Sequence, residues 1–513
     1  MKIFRKCNCK QILYILTCVY ISLIFSVFLL IEYNGYADIM YAKSLFFWEV
    51  TSGYLLVAAL LIAIEMIRTK ESIYLRDMDA TDYLVLVFAI VIFISFLTSP
   101  DKYASFWGIE GRMCGVFTLL ECCGLYYVIR HRSKMGINKD GTGVKIVVTV
   151  MVLSLSFVFI IGIFNHIGFN PFGLCSTYEY QRSRFISTYG NRNTFASLAL
   201  LSCSISAPMF VLSNIKFTRR ISAIFTYISL MAIYASVSDG ALLGLFVLTI
   251  ILLFYVLKDV KLLAGFWEFV LLIGLSAAAD FVLRTIAQDR AWIVTGILKI
   301  IYKYNIEYAL IAVSILGIII CRYMIRQGNN KIKPFVRKAV FIIIGVCIVT
   351  GIISLIFING FMSEDQIGKT FGALADYIVF SEKWGTNRGG IWIGAIAVFT
   401  AMPFVSKIFG YGPALFGRGL LEYVDEDKLP DTKGNLIDAH NEFLQYLVTC
   451  GIIAAIAYVG ALISVMLSRK KYPPIVCFCA CYLTQGFTNN IHIYIEPLFV
   501  IVLSALLSMS EEG

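Results

Sequence analysis

The chain of 513 residues is 59% hydrophobic and 15% charged, and its mean hydropathy is +0.81. A soluble domain carries about a quarter of its residues as charged side chains, so this composition excludes a soluble globular protein and indicates an integral membrane protein. The net charge is +10, and the 14 cysteines lie mostly in apolar segments, without the spacing of a disulfide framework or a metal site.

Long apolar segments recur along the whole chain, and most approach the roughly 20 residues that a membrane-spanning helix needs. The predicted spans, in chain order, are Ile12–Ile31, Val50–Ile67, Tyr83–Thr98, Met113–Ile129, Val144–Phe164, Thr194–Ser213, Ile221–Val237, Gly240–Leu257, Leu262–Leu283, Ile306–Ile320, Ala339–Ile358, Phe443–Leu467, Pro473–Phe487 and His492–Met509. The seventh and eighth run together and the thirteenth is short. We therefore predict an all-α membrane protein of twelve to fourteen transmembrane helices, with residues 1–513 in one polytopic domain.

The lysines and arginines favour one orientation of these spans. With the N-terminus in the cytoplasm, most of the 43 basic residues fall in short cytoplasmic loops, as the positive-inside rule requires. We therefore predict that both termini are cytoplasmic. The positive net charge is then a topology signal, and it gives no reason to expect a nucleic-acid partner.

Two predicted outer loops are unusually long, and long loops tend to carry function. The first, residues 165–193, is rich in arginine and includes Arg184 and Arg192. Asn191 and Asn193 follow Gly190 in a turn that suits the cap of a helix starting near residue 194. A helix N-terminus beside arginines can bind an anion. A capped helix with solvated arginines explains the segment equally well, so both interpretations stay open.

The second long loop, residues 359–442, contains a short apolar stretch, Ile391–Pro403, which we interpret as a helix at the outer interface. Arg388 lies at its start. The loop ends at His440, one of only 4 histidines, just before the span that begins at Phe443. Imidazole holds or moves a proton near neutral pH, and the neighbouring polar residues would cap a helix without it, so capping alone does not explain the histidine.

Glu121 is the most central acidic residue in a predicted span. A charge inside a membrane is costly and usually functional. Glu121 is therefore either part of a proton path or a protonated residue that packs through a hydrogen bond.

Several loose motifs occur in a characteristic order between residues 80 and 510. They are Trp107-Gly108-Ile109-Glu110-Gly111-Arg112-Met113-Cys114-Gly115, Gly190-Asn191-Arg192-Asn193-Thr194-Phe195-Ala196, Ser238-Asp239-Gly240-Ala241-Leu242-Leu243-Gly244, Arg388 ahead of Ile391-Trp392, Gly410-Tyr411-Gly412-Pro413, Ala439-His440-Asn441-Glu442-Phe443-Leu444-Gln445 and Gln485-Gly486-Phe487-Thr488-Asn489-Asn490. The combination resembles the superfamily of O-antigen ligases and O-antigen polymerases, which are bacterial membrane glycosyltransferases.

The resemblance implies an architecture of the GT-C type and a metal-independent, inverting glycosyltransferase without a cofactor. The substrate would be a glycan on undecaprenyl diphosphate, at the outer face of the bacterial cytoplasmic membrane. Its partners would be this polyprenyl-diphosphate-linked oligosaccharide, a glycan acceptor and membrane lipid, with a flippase and a chain-length regulator as further candidates. The catalytic residues would be His440 and Arg388. The candidate substrate-binding residues are Arg184, Arg192, Asn191, Asn193, Arg112, Asn441 and Glu442.

One residue departs from the family pattern. Ligases often carry an arginine where this chain has Asp239, which favours polymerisation of a surface or capsular polysaccharide over ligation to a lipid or protein. Ligation remains the alternative. A polysaccharide transporter or flippase is the alternative of another class, although transporters usually place their polar groups near the midplane of the membrane. An assembly scaffold would leave the polar loop residues without a role.

Overall fold

The computed structural model describes residues 9–32, 38–70, 78–133, 135, 141–174, 185–372, 375–382, 384–425 and 437–510. Within these ranges the chain is helical, without β-strands, and the predicted all-α class is confirmed. The sequence motif that contains Arg184 lies partly outside the described residues.

The helices follow one another with short connections. In chain order they are α1 (Cys9–Leu23), α2 (Ile39–Thr69), α3 (Ala80–Thr98), α4 (Lys102–Trp107), α5 (Val116–Tyr127), α6 (Thr142–His166), α7 (Arg192–Leu212), α8 (Lys216–Ser236), α9 (Asp239–Val256), α10 (Val260–Ala287), α11 (Gly296–Lys303), α12 (Ile306–Arg326), α13 (Pro334–Phe361), α14 (Glu364–Phe371), α15 (Ala375–Ile378), α16 (Trp384–Ala401), α17 (Phe404–Phe409), α18 (Phe416–Tyr423), α19 (Glu442–Thr449), α20 (Gly451–Ser468), α21 (Pro473–Gly486) and α22 (Glu496–Ser510).

Among the described residues, 10 helices are long and apolar enough to cross a membrane. All fourteen predicted spans coincide with helical segments, but not every one meets that standard of length and apolarity. For example, α5, α21 and α22 contain 12, 14 and 15 residues. A multi-pass membrane protein follows from these helices.

The predicted span Phe443–Leu467 is divided into two helices, α19 and α20, at Cys450. Gly451 has a φ of +84°, a conformation that favours glycine. The carbonyl oxygen of Thr449 accepts hydrogen bonds from the Ser95 hydroxyl at 2.8 Å and from the backbone N–H of Gly412 at 2.9 Å. The long loop is therefore fastened to the break by its glycine-rich turn, which packs backbone against backbone.

The bundle is packed unevenly around α7. The most apolar part of α7 is 83% buried, and α7 contacts α8, α9, α10 and α21. By contrast, none of the corresponding part of α13 is buried within the protein, so α13 lies at the periphery. The N-terminus of α7 and the C-terminus of α21 meet at one end of the bundle, where the polar residues of the long loop also collect.

Glu121 lies in α5 and is 5% exposed. The hydroxyl of Ser52 in α2 donates a hydrogen bond of 2.6 Å to its Oε1 atom. Glu121 therefore joins two helices.

Candidate active site

His440 lies in a tightly fixed turn that leads into α19. Asp438 Oδ1 accepts a hydrogen bond of 2.9 Å from the backbone N–H of His440, and Gln445 Oε1 accepts one of 2.9 Å from Ala439. The φ of His440 is +47°, in the left-handed region where a residue other than glycine is uncommon. The turn thus holds His440 in a backbone conformation that few residues other than glycine adopt.

Asn441, the next residue, is the N-cap of α19. Its Oδ1 atom accepts hydrogen bonds from the N–H groups of Phe443 and Leu444, at 3.0 Å and 3.1 Å, and its Nδ2 atom donates one of 3.1 Å to the carbonyl of Phe487. The amide therefore fixes the turn that presents His440 and ties it to the end of α21.

Charged side chains surround the imidazole of His440. Arg112 forms an ion pair with Asp438 through its Nε atom, and Asp438 Oδ1 lies 3.6 Å from His440 Nδ1. Burial lowers the pKa of His440 below its ordinary value of 6.5; Asp438 and Asn490 oppose this shift, while Arg388 and Arg112 add to it. The imidazole is therefore neutral at pH 7 and able to accept a proton.

Arg388 lies near the start of α16, close enough to His440 for its charge to act on the imidazole. Burial lowers the pKa of Arg388, and Asp239 and Asp438 oppose that shift; an arginine keeps its charge in either case. Among the described residues, its guanidinium has neither a hydrogen-bond partner nor an ion pair within 4.0 Å. Its donors are available to an anionic ligand.

Asp239, the residue at which the chain departs from the ligase pattern, lies between three elements. Its Oδ1 atom accepts a hydrogen bond of 2.8 Å from the N–H of Ile297, and its Oδ2 atom accepts one of 2.9 Å from the hydroxyl of Tyr377. The carbonyl of Tyr377 in turn accepts a hydrogen bond of 3.1 Å from the indole of Trp384 at the start of α16. Asp239 thus anchors the segment that carries Arg388 and supplies a nearby negative charge.

A polar cleft opens beside His440, with an empty volume of about 490 Å³. Its lining residues are Asn191, Asn193, Thr194, Ser197, His440, Glu442, Tyr482, Gln485, Asn489, Asn490, His492 and Ile495. The structure therefore brings four of the predicted site residues together, namely Asn191, Asn193, His440 and Glu442. It also adds polar residues that the sequence analysis did not propose for the site. These are Gln485 near the end of α21 and Asn489, Asn490 and His492 in the connection to α22.

Glu442 is 4% exposed, and its Oε2 atom accepts a hydrogen bond of 2.6 Å from the hydroxyl of Tyr458. Nearby, Glu496 Oε1 accepts a hydrogen bond of 2.6 Å from the hydroxyl of Tyr482. Glu442 therefore belongs to a buried group of two carboxyls and two tyrosines behind the cleft.

Two further cavities lie beside the charged residues and within the apolar bundle. One, of about 410 Å³, is lined by Arg112 and Asp438, and the other, of about 670 Å³, is almost entirely apolar. Leu119 and Tyr446 line both. The apolar cavity lies among α3, α5, α20 and α22.

The predicted anion site at the N-terminus of α7 has a different geometry. Asn191 caps the helix, and its Oδ1 atom accepts hydrogen bonds from the N–H groups of Asn193 and Thr194, at 2.8 Å and 3.2 Å. The guanidinium of Arg192 lies 4.5 Å from the ring centre of Trp292. Arg184 lies outside the described residues. The helix start is therefore capped from within the chain.

The cap can be tested by replacing Asn191 with alanine. We expect a loss of about 1 kcal/mol in the free energy of unfolding, because two backbone donors lose their partner. The measurement is thermal unfolding of the purified protein in detergent. Serine at position 191 should restore most of the stability, since its hydroxyl is also a good cap; equal stability of the alanine variant and the original protein would contradict the assignment.

No protein-family model and no curated protein sequence matches this chain.

Proposed function

We propose that the protein is a membrane glycosyltransferase that polymerises the repeat unit of a surface or capsular polysaccharide, using a polyprenyl-diphosphate-linked glycan as donor. The observation that carries the proposal is the position of His440. A neutral, partly exposed imidazole lies at a polar cleft, where the charges of Arg388 and Arg112 act on it, and the cavity lined by Arg112 shares Leu119 and Tyr446 with an apolar cavity.

The reaction needs two kinds of group. The bond between the anomeric carbon and the diphosphate oxygen breaks, and its electron pair leaves with the diphosphate. Arg388, whose donors have no partner among the described residues, would stabilise that developing charge together with Arg112. The acceptor hydroxyl forms the new glycosidic bond and gives its proton to His440. Attack from the side opposite the diphosphate inverts the anomeric centre.

The lipid tail of the donor would lie in the apolar cavity among α3, α5, α20 and α22. The proposal places the site at the outer face of a bacterial cytoplasmic membrane, with both termini in the cytoplasm. Twelve to fourteen spans and a GT-C-type architecture belong to the same proposal. A flippase would supply the donor, and a chain-length regulator would act on the product.

Asp239 bears on the choice between polymerase and ligase. A negative charge at this position partly offsets Arg388, so the site has less positive charge than one with an arginine there. This difference supports polymerisation, with ligation to a lipid or protein acceptor as the alternative.

A transporter is the rival of another class, because α19 and α20 form a broken helix of the kind that transporters use. In transporters the free backbone groups at such a break bind the cargo. Here Ser95 and the turn at Gly412 already occupy the carbonyl of Thr449, which favours the enzyme.

The direct test is reconstitution of the purified protein in liposomes with the lipid-linked repeat unit of the same cell. We expect longer lipid-linked glycans on a gel and release of polyprenyl diphosphate. Movement of the unmodified repeat unit across the bilayer, without chain growth, would favour the transporter. Transfer to a lipid or protein without chain growth would favour the ligase.

The pH dependence of kcat/KM follows from the environment of His440. Because the proton acceptor is the neutral imidazole, activity should fall as the pH drops through its lowered pKa, with the midpoint below 6.5. Arg112→Gln removes a cation, so the midpoint should move to higher pH. Asp438→Asn removes an anion, so it should move to lower pH. Unchanged midpoints in both variants would show that His440 is not the titrating group.

A further inference from the structure

The polar cleft beside His440 is lined mainly by amides and hydroxyls, together with two imidazoles and the carboxyl of Glu442, which is hydrogen-bonded to Tyr458; no arginine or lysine of the described residues lines it. Its floor is a small hydrogen-bond network. The Ser197 hydroxyl shares its single hydrogen between the carbonyl of Asn193 at 2.9 Å and Gln485 Oε1 at 3.2 Å, and it accepts a hydrogen bond of 3.0 Å from Asn489 Nδ2, which also donates to Gln485 Oε1. These bonds fix the amide of Gln485 in one orientation.

That orientation leaves a buried donor without a partner. Gln485 is 3% exposed, and its Nε2 atom has no hydrogen-bond partner among the described residues. Burying such a group without a partner costs about 1–3 kcal/mol. The amide of Asn193 lines the same cleft, and its Oδ1 atom accepts a hydrogen bond of 3.0 Å from Ser238. Its Nδ2 atom is a second available donor.

A second histidine adds to this surface. His492 is 5% exposed and lines the cleft, and its Nδ1 atom accepts a hydrogen bond of 3.2 Å from the N–H of Tyr494. Its Nε2 atom therefore carries the hydrogen of the neutral ring. The cleft thus offers uncharged donors, which suit hydroxyl groups better than phosphate.

We propose that this cleft is the acceptor-sugar subsite, in which Gln485 and Asn193 bind the hydroxyl groups of a neutral sugar ring and direct one hydroxyl at His440. The inference rests on the proposed function and adds a separation of tasks. Arg388 and Arg112 bind the anionic diphosphate of the donor, whereas the amides bind the acceptor. His440 lines the cleft, and Asp438, 3.6 Å from its imidazole, forms an ion pair with Arg112, so the imidazole is adjacent to both groups of residues.

The test uses two probes that separate the subsites. One is the phosphate-free oligosaccharide released by mild acid from the lipid-linked repeat unit of the same cell; the other is inorganic pyrophosphate. Binding of each to the full-length protein in detergent is measured by ligand-observed NMR titration. The variants are Gln485→Leu, Asn193→Ala and Arg388→Ala. Gln327→Leu, an exposed glutamine at the end of α12, is the matched control.

We expect Gln485→Leu and Asn193→Ala each to weaken oligosaccharide binding by roughly 3- to 10-fold, the effect of one lost hydrogen bond, and to leave pyrophosphate binding unchanged. Arg388→Ala should do the reverse. If Gln485→Leu does not fold, because Ser197 and Asn489 lose their acceptor, Asn193→Ala decides alone. Absence of oligosaccharide binding to the original protein, or equal binding to all folded amide variants, would overturn the subsite.

The same variants separate this inference from the proposed function. If chain growth is lost in His440→Ala but unaffected by the amide substitutions, the result supports the glycosyltransferase and contradicts the acceptor-sugar subsite. If oligosaccharide binding depends on Gln485 and Asn193 but no chain growth occurs, the result supports the sugar site and contradicts the glycosyltransferase activity.

Discussion

Replacement of His440 by alanine is expected to lower kcat of the polymerisation by about 10²–10⁴-fold, the usual contribution of a general base. The imidazole is neutral at pH 7, and its two polar neighbours in the turn are already engaged: Asp438 forms an ion pair with Arg112, and the amide of Asn441 caps α19. The measurement is the initial rate of chain growth in liposomes at saturating donor. Binding of pyrophosphate should persist, since Arg388 and Arg112 remain.

His440→Asn provides the control for folding. Asparagine accepts the left-handed backbone of this position more readily than alanine, so the variant should be at least as stable as the original protein and as inactive as the alanine variant. Normal chain growth in either variant would show that His440 is not needed for the reaction.

Replacement of Arg388 by alanine is expected to lower kcat by about 10²–10³-fold, which is the loss seen when one donor to a developing oxyanion is removed. The guanidinium is partly buried beside Asp239 and Asp438, so its charge acts strongly on a nearby anion. Lysine at position 388 should recover only part of the rate, because it keeps the charge but loses the planar pair of donors. The rate of polyprenyl-diphosphate release measures the effect.

Arg418→Ala is the matched control for Arg388. It lies in α18 of the same long loop, its side chain is 55% exposed, and it pairs with Asp101 at 2.6 Å. Its loss should leave chain growth unchanged. An equal loss of rate in both variants would show that the loop responds to any missing arginine, and that Arg388 has no special role.

The helical segments of the bundle follow from hydropathy, because each buries an apolar surface in lipid or in its neighbours. The helix ends were less predictable. The predicted span Phe443–Leu467 reads as one apolar stretch, and only tertiary contact with the turn at Gly412 makes a break at Cys450 favourable. Such a contact joins residues far apart in the chain, and hydropathy carries no information about it.

The candidate site was partly visible in the sequence. His440 and Arg388 stood out as polar residues at the borders of apolar stretches, and the structure brings them within electrostatic reach of one another. Gln485 and Asn489 belong to the motif Gln485–Asn490. Their side chains are uncharged, so the sequence did not distinguish them, and their proposed role depends on packing against α7. The signal available for them was a polar run between two closely spaced spans.

Asp239 illustrates the opposite case. The sequence identified it as a departure from the ligase pattern but gave no partner for it. The structure supplies three, through Ile297, Tyr377 and the charge of Arg388, and these come from separate segments of the chain. Asp239, which in the sequence only replaces an expected arginine, therefore holds the segment that carries Arg388 through these contacts.

The left-handed backbone at His440 has a consequence for any attempt to improve this protein. That conformation costs an ordinary residue roughly 1–2 kcal/mol, and asparagine or glycine would relieve much of it. Directed evolution for heat resistance alone should therefore enrich those two residues at position 440 and yield robust but inert proteins. Enrichment of this kind, with loss of chain growth, would support the proposed role of the imidazole in the reaction rather than in folding.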